Sequence, residues 1–157
     1  MIRGILFDCD TMICSRFGQS VPEDTLRVLA RLHRDDFKLG LYADRPLQQL
    51  QDLPAALLAC FVFLQGSDGV QIRIPDDENS PAAWQPAPEN AAAGGRTDVL
   101  KQFCGLLDVD PAETAVFSGA TRDAAMLKLA GVAVSSADPA QGGIRTACEH
   151  FGWIAHE

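Results

Sequence analysis

Residues Ile2 to Met12 read IRGILFDCDTM, and this stretch decides the fold. Ile2, Ile5, Leu6 and Phe7 form a short apolar run that ends abruptly at Asp8-Cys9-Asp10. A continuous apolar run, rather than an alternating one, suits a central parallel strand covered on both faces. Ligands of open α/β sheets sit beyond the carboxyl ends of such strands. Asp8 and Asp10 would stand at that edge, where neighbouring carboxylates repel unless a cation or a shared proton relieves them. The same spacing also suits a plain strand-end turn, with Asp8 capping the loop and Asp10 solvated, because Asp is common in turns.

A chain of 157 residues is one domain, large enough for a substantial core. Its 47% apolar and 22% charged residues are ordinary for a globular protein and argue against wholesale disorder. The formal net charge of −8 argues against a nucleic-acid partner, while local basic spots could still hold a small phosphorylated ligand. The N-terminus enters a strand almost at once, so no signal peptide is expected. The most apolar window, Leu53 to Leu64, is too short for a membrane span and holds Pro54. Five cysteines (Cys9, Cys14, Cys60, Cys104 and Cys148) are odd in number and lack a CxxC pair. Neither a disulfide framework nor a zinc site follows, and reduced thiols in a cytoplasmic protein are expected.

Beyond a loop from Cys9 to Val21, Pro22 suits a first helical turn, and Glu23 and Asp24 favour the positive end of the helix dipole. Leu26, Leu29, Ala30 and His33, with Val28 and Leu32 beside them, predict a helix to about Asp36. Strands are expected over Lys38–Ala43, Cys60–Leu64, Val70–Ile74, Thr114–Ser118 and Val132–Val134, with a last short one near Trp153-Ile154. Helices are expected near Leu47–Leu53, from Thr97 through Leu107, over Asp123–Ala130 and from about Gly143 to His150. Gly131 is assigned a left-handed cap. Residues 75–95, rich in proline and alanine, read as a flexible loop or a mobile lid.

Strands alternating with helices at this spacing predict an α/β fold, a doubly wound three-layer sandwich with a mostly parallel central sheet. That topology gathers Asp8, Asp10, Ala43-Asp44, the residues after Ser118, and Arg96 at one end of the sheet.

Four stretches, ILFDCDTM, KLGLYADRP, the helix start Gly95-Arg96-Thr97, and VFSGATRDAAMLKLAGVAV, resemble the haloacid dehalogenase (HAD) superfamily of phosphohydrolases in order and spacing. The run from VPEDTLRVLARL into LYADRP most resembles its sugar-phosphatase branch. The resemblance implies a Rossmann-like HAD core spanning residues 1–157, with loop 75–95 in place of a cap domain. It implies that Asp8 is the nucleophile that forms an aspartyl phosphate and Asp10 the acid/base residue. It further implies Mg2+ held by Asp8, the Asp10 backbone carbonyl and Asp123, and phosphate held around the Cys9 N–H, Ala43, Asp44 and Arg96. Capless relatives use a neighbouring subunit as a lid, so a homo-oligomer is implied.

Several positions depart from the family pattern. Thr11 stands for a glycine and Met12 for a small residue. Ala43 lacks the usual phosphate-binding hydroxyl, and the carboxylate of Asp44 would repel phosphate. Arg96 replaces a lysine, keeping the charge with different geometry, and Lys101 is a poorer substitute. Gly119 takes the place of a carboxylate, which should weaken magnesium binding. Ser118 and Thr121 are candidates to replace the missing hydroxyls. Arg45 and Arg122 could reach a phosphate, although a helix-opening turn and a solvated helix-start arginine account for them better. His33, His150 and His156 lie far from the motif loops. Two readings stay open: a magnesium-dependent phosphatase with relaxed or weak activity, or a HAD-fold protein that has lost catalysis and works in binding or assembly.

Overall fold

The computed structural model describes residues 1–13, 21–73, 84–86, 96–119, 123–135 and 143–154. In chain order the elements are β1 (Gly4–Asp8), α1 (Glu23–Arg34), β2 (Lys38–Tyr42), α2 (Leu47–Gln51), α3 (Ala55–Leu58), β3 (Phe63–Gly66), β4 (Gly69–Ile72), β5 (Gln85–Pro86), α4 (Arg96–Leu107), β6 (Thr114–Phe117), α5 (Ala124–Leu129), β7 (Val132–Val134) and α6 (Gly143–His150). The strands form one sheet in the order β5-β4-β3-β2-β1-β6-β7. Pairing is parallel from β3 to β7, and β4 and β5 add an antiparallel edge.

The apolar opening run is β1, with all five residues buried between β2 and β6. Its side chains alternate between two cores. Ile5 and Phe7 pack with Leu39, Leu41 and Phe117 beneath α1 and α6. On the other face, Leu6, Tyr42 and Val116 pack beneath α4, where Phe103 meets Phe63 edge-on at 5.3 Å. Such an aromatic pair adds about 0.5–1.5 kcal/mol beyond its buried area. Helices on both faces of a mostly parallel sheet make the expected three-layer α/β sandwich.

Several local expectations change. Residues Cys9–Ile13 are not open loop but one turn of π-helix. The buried face of α1 is Thr25, Val28, Leu29 and Leu32, while Ala30 is exposed. β3 begins at Phe63, three residues after Cys60, because Pro54 opens the extra helix α3 and its closing turn carries the chain through Phe61. Gly131 has no positive φ. It is needed for close approach, since a Cβ there would lie 2.1 Å from the Ala112 carbonyl oxygen. Trp153-Ile154 is a bend whose amides return to the Cys148 carbonyl, not a strand. Most of loop 75–95 lies outside the described residues; within it, Gln85–Pro86 forms β5 on the edge of β4. Among the described residues no helix is long and apolar enough to cross a membrane. Cys9, Cys60, Cys104 and Cys148 are buried and not disulfide-bonded, and Cys14 lies outside the described residues.

Candidate active site

Parallel pairing brings the carboxyl ends of β1, β2, β3 and β6 to one edge of the sheet. β1 places Asp8 there, opposite Tyr42 in register. Beyond β6 comes Ser118, and Asp123 stands at the start of α5. Asp8, Ser118 and Asp123 are all fully buried. The Ser118 hydroxyl lies between the two carboxylates, donating its one proton to Asp123 Oδ2 at 2.5 Å, with Asp8 Oδ2 3.4 Å away. The Tyr42 hydroxyl donates to the same Asp123 oxygen at 2.7 Å. Burial first, then the charge of Asp123, pushes the Tyr42 phenol above its ordinary value, so it keeps its proton.

The π-turn adds Thr11, whose hydroxyl donates to Asp8 Oδ2 at 2.9 Å and accepts from the Gly119 N–H at 2.9 Å. One side chain thus ties the loop after β1 to the loop after β6. Single π-turns of this kind recur at functional sites. Cys9 is buried at the start of the turn. Asp10, more open, accepts from Arg45 Nε at 3.0 Å. The cation that the aspartate spacing calls for is, at Asp10, a guanidinium from this chain.

Arg45 is held in place by the β3–β4 turn. Its carbonyl accepts from the Ser67 N–H at 2.8 Å, and Asp68 accepts from the Leu47 N–H at 2.8 Å at the start of α2. Gly66 lets the two segments touch, because a Cβ there would lie 2.6 Å from the Leu47 nitrogen.

Of the expected residues the structure thus brings together Asp8 and Asp123, with Ser118 between them, while Asp10 turns to Arg45. Ala43 requires a correction: its N–H donates to the Gln65 carbonyl at 3.0 Å, so neither side chain nor backbone offers phosphate a donor. Asp44 is exposed beside it. Arg96 opens α4, but its side chain, like Thr121 and Arg122, lies outside the described residues. His33 lies at the opposite edge in a cleft with Lys38 and Arg73; burial, then Arg73, lowers its pKa. Sequence reasoning passed over Tyr42 and the bridging role of Thr11. The signal for Tyr42 was present: a lone polar-tipped aromatic closing an otherwise apolar strand.

Magnesium is the cation the family resemblance implies. The donors gathered here are hard oxygens from Asp8 and Asp123, close enough for one serine to span them. Two carboxylates completed by waters and substrate phosphate are a set that magnesium accepts, so the residues fit it as a two-carboxylate site. Among the described residues no group of three or more His, Cys, Asp or Glu forms a metal-holding cluster, and the Asp10 side chain is engaged by Arg45.

No family model matches the sequence, and no curated protein does. Solved structures do. A HAD-superfamily phosphatase from Bacteroides thetaiotaomicron aligns with a TM-score of 0.68 at 14% identity, over 98% of this chain and 96% of its own. A HAD subclass IIB sugar phosphatase aligns with a TM-score of 0.69 at 14% identity, over 97% of this chain and 100% of its own. The fold is that of the HAD phosphatases. A cobalt-bound deoxy-D-mannose-octulosonate 8-phosphate phosphatase from Haemophilus influenzae shares the HAD fold at a TM-score of 0.57 and 12% identity, over 84% of this chain and 67% of its own. At these identities the likeness rests on the sheet and its crossovers, and the chemistry must be argued from the side chains.

Proposed function

We propose that this chain is a magnesium-dependent HAD-type phosphohydrolase of weak or relaxed activity, acting on a small phosphorylated substrate. The observation that carries the reading is the joining of Asp8 to Asp123 through Ser118 at the carboxyl edge. A non-catalytic sheet gains nothing from burying two carboxylates against each other. In this reading an Asp8 oxygen attacks phosphorus, the ester oxygen leaves with a proton from Asp10, and water activated by Asp10 later hydrolyses the aspartyl phosphate. Asp8 and Asp123 would hold magnesium, which when bound neutralises charge on the transferring phosphoryl group.

The departures from the family set the rate. Thr11 holds one Asp8 oxygen, Oδ2, by a hydrogen bond that draws off part of its charge. Ala43 contributes no donor, and Gly119 no carboxylate. Arg45 holds Asp10 at the mouth, so the acid/base group works beside a fixed positive charge. Residues 1–157 act as one core, with 75–95 in the place of a cap. A core without a cap domain suits cover by a second subunit, which light scattering would detect as a dimer or larger species.

The enclosure of Asp8 favours a second reading, a binding or assembly protein on a phosphatase fold. Hydrolysis of p-nitrophenyl phosphate separates the two. Wild type with magnesium is expected to exceed wild type without it and Asp8→Asn under either condition. Equal rates in all four end the enzymatic reading.

A further inference from the structure

We infer that Tyr42 is a positioning residue of this site, its hydroxyl acting with that of Ser118 to fix the Asp123 carboxylate against Asp8. The inference rests on the phosphohydrolase reading for its purpose, but its geometry stands by itself. Tyr42 closes β2 on the face that carries Leu6, Phe63 and Val116, where a phenylalanine ring would pack as well. Only the hydroxyl distinguishes tyrosine there, and it donates to Asp123 Oδ2 at 2.7 Å with Ser118 also in hydrogen-bond reach. Ser118 reaches the same oxygen from β6 at 2.5 Å. Two donors from different strands converging on one carboxylate oxygen fix the rotation of the group as well as its place. Asp123 needs that support because it opens α5 and its side chain makes no cap hydrogen bond to that helix. These two bonds tie its orientation to the sheet, on either side of β1.

The test uses Tyr42→Phe, which keeps the ring and removes the donor. Magnesium affinity by calorimetry should weaken about tenfold, as expected when the support of a ligating carboxylate is lost. The Asp123 side-chain carboxyl carbon resonance, recorded without metal at neutral pH, should also move. Ser118→Ala should give the same two changes. A role confined to folding would lower the unfolding temperature and leave both readouts at their wild-type values, and that result overturns the inference. If wild type binds no magnesium and hydrolyses nothing, the phosphohydrolase reading fails and the metal-free resonance decides alone: moved, the positioning role stands; unmoved, it falls. Should Tyr42→Phe not fold, the single tyrosine allows 3-fluorotyrosine to be placed throughout the protein with one fluorine signal. That signal must shift in Asp123→Asn, and its failure to shift overturns the inference.

Discussion

Tyr42 carries the chain's single phenol into a site where it is 1% exposed and 2.7 Å from a carboxylate oxygen. Its folded pKa lies above the unfolded value of about 10 because burial, then the charge of Asp123, disfavours the phenolate. The stability linked to this group is whole below pH 10 and is lost above it, since the unfolded chain releases a proton that the folded chain retains. Chemical denaturation of wild type and Tyr42→Phe should therefore show the gap moving in favour of the phenylalanine as pH rises from about 9 to 11. A constant gap would mean the phenol is not shielded. That Asp8 and Asp123 would stand at one edge of the sheet was legible, because one ends a strand and the other opens a helix within a short motif. The roles of Tyr42, Thr11 and Arg45 were not. They arise across strands, from register and from a turn 21 residues away from Leu47, which local sequence does not encode.

The β3–β4 turn matters to the site through Gly66, where a Cβ would press within 2.7 Å of the Arg45 carbonyl and 2.6 Å of the Leu47 nitrogen. Both obstacles are backbone, so Gly66→Ala must push the Arg45 segment away. A loss of about 1–3 kcal/mol is expected, the usual cost of overpacking. Phosphatase activity should fall further than Leu50→Val, a core change in the same helix, makes it fall at matched stability. Equal losses would show that Arg45 placement is irrelevant. Strand existence was readable from apolar runs, but several strand boundaries were not. An apolar run reports burial and not backbone geometry, so Cys60-Phe61 and Trp153-Ile154 passed for strands while serving as a buried turn and a bend. Gly131 was misread for a related reason. A glycine beside a helix end suggests a cap, whereas here it answers to Ala112 across a turn.

At the scale of the molecule, the two helical layers clamp a sheet whose strand β1 ends in Asp8, the proposed nucleophile. A ligand bridging Asp8 and Asp123 couples β1 to the β6–α5 connection and should stabilise the whole domain. Magnesium at ten times its dissociation constant would add about 1.4 kcal/mol if it binds only the folded chain. For a domain of this size that is an upward shift in Tm of roughly 3–6 °C. Chelator should reverse it and Asp123→Asn abolish it. No shift in wild type would count against the two-carboxylate site. The doubly wound architecture was the most legible feature of all, because alternation of strand and helix extends over most of the chain and survives errors of a few residues at each boundary.

Asp8 and Ser118 meet across 110 positions of sequence. At translation rates of 5–20 residues per second, the partner strand is made roughly 5–20 s after the first one. For that interval the nascent chain can pair β1 with β2 alone, leaving one flank of the central strand open to passing chaperones or to its neighbours on the same message. The strand that leads to Ser118 is thus also the one that covers the open flank of β1, and a chain truncated before residue 114 would be left with an adhesive edge and without Ser118 or Asp123.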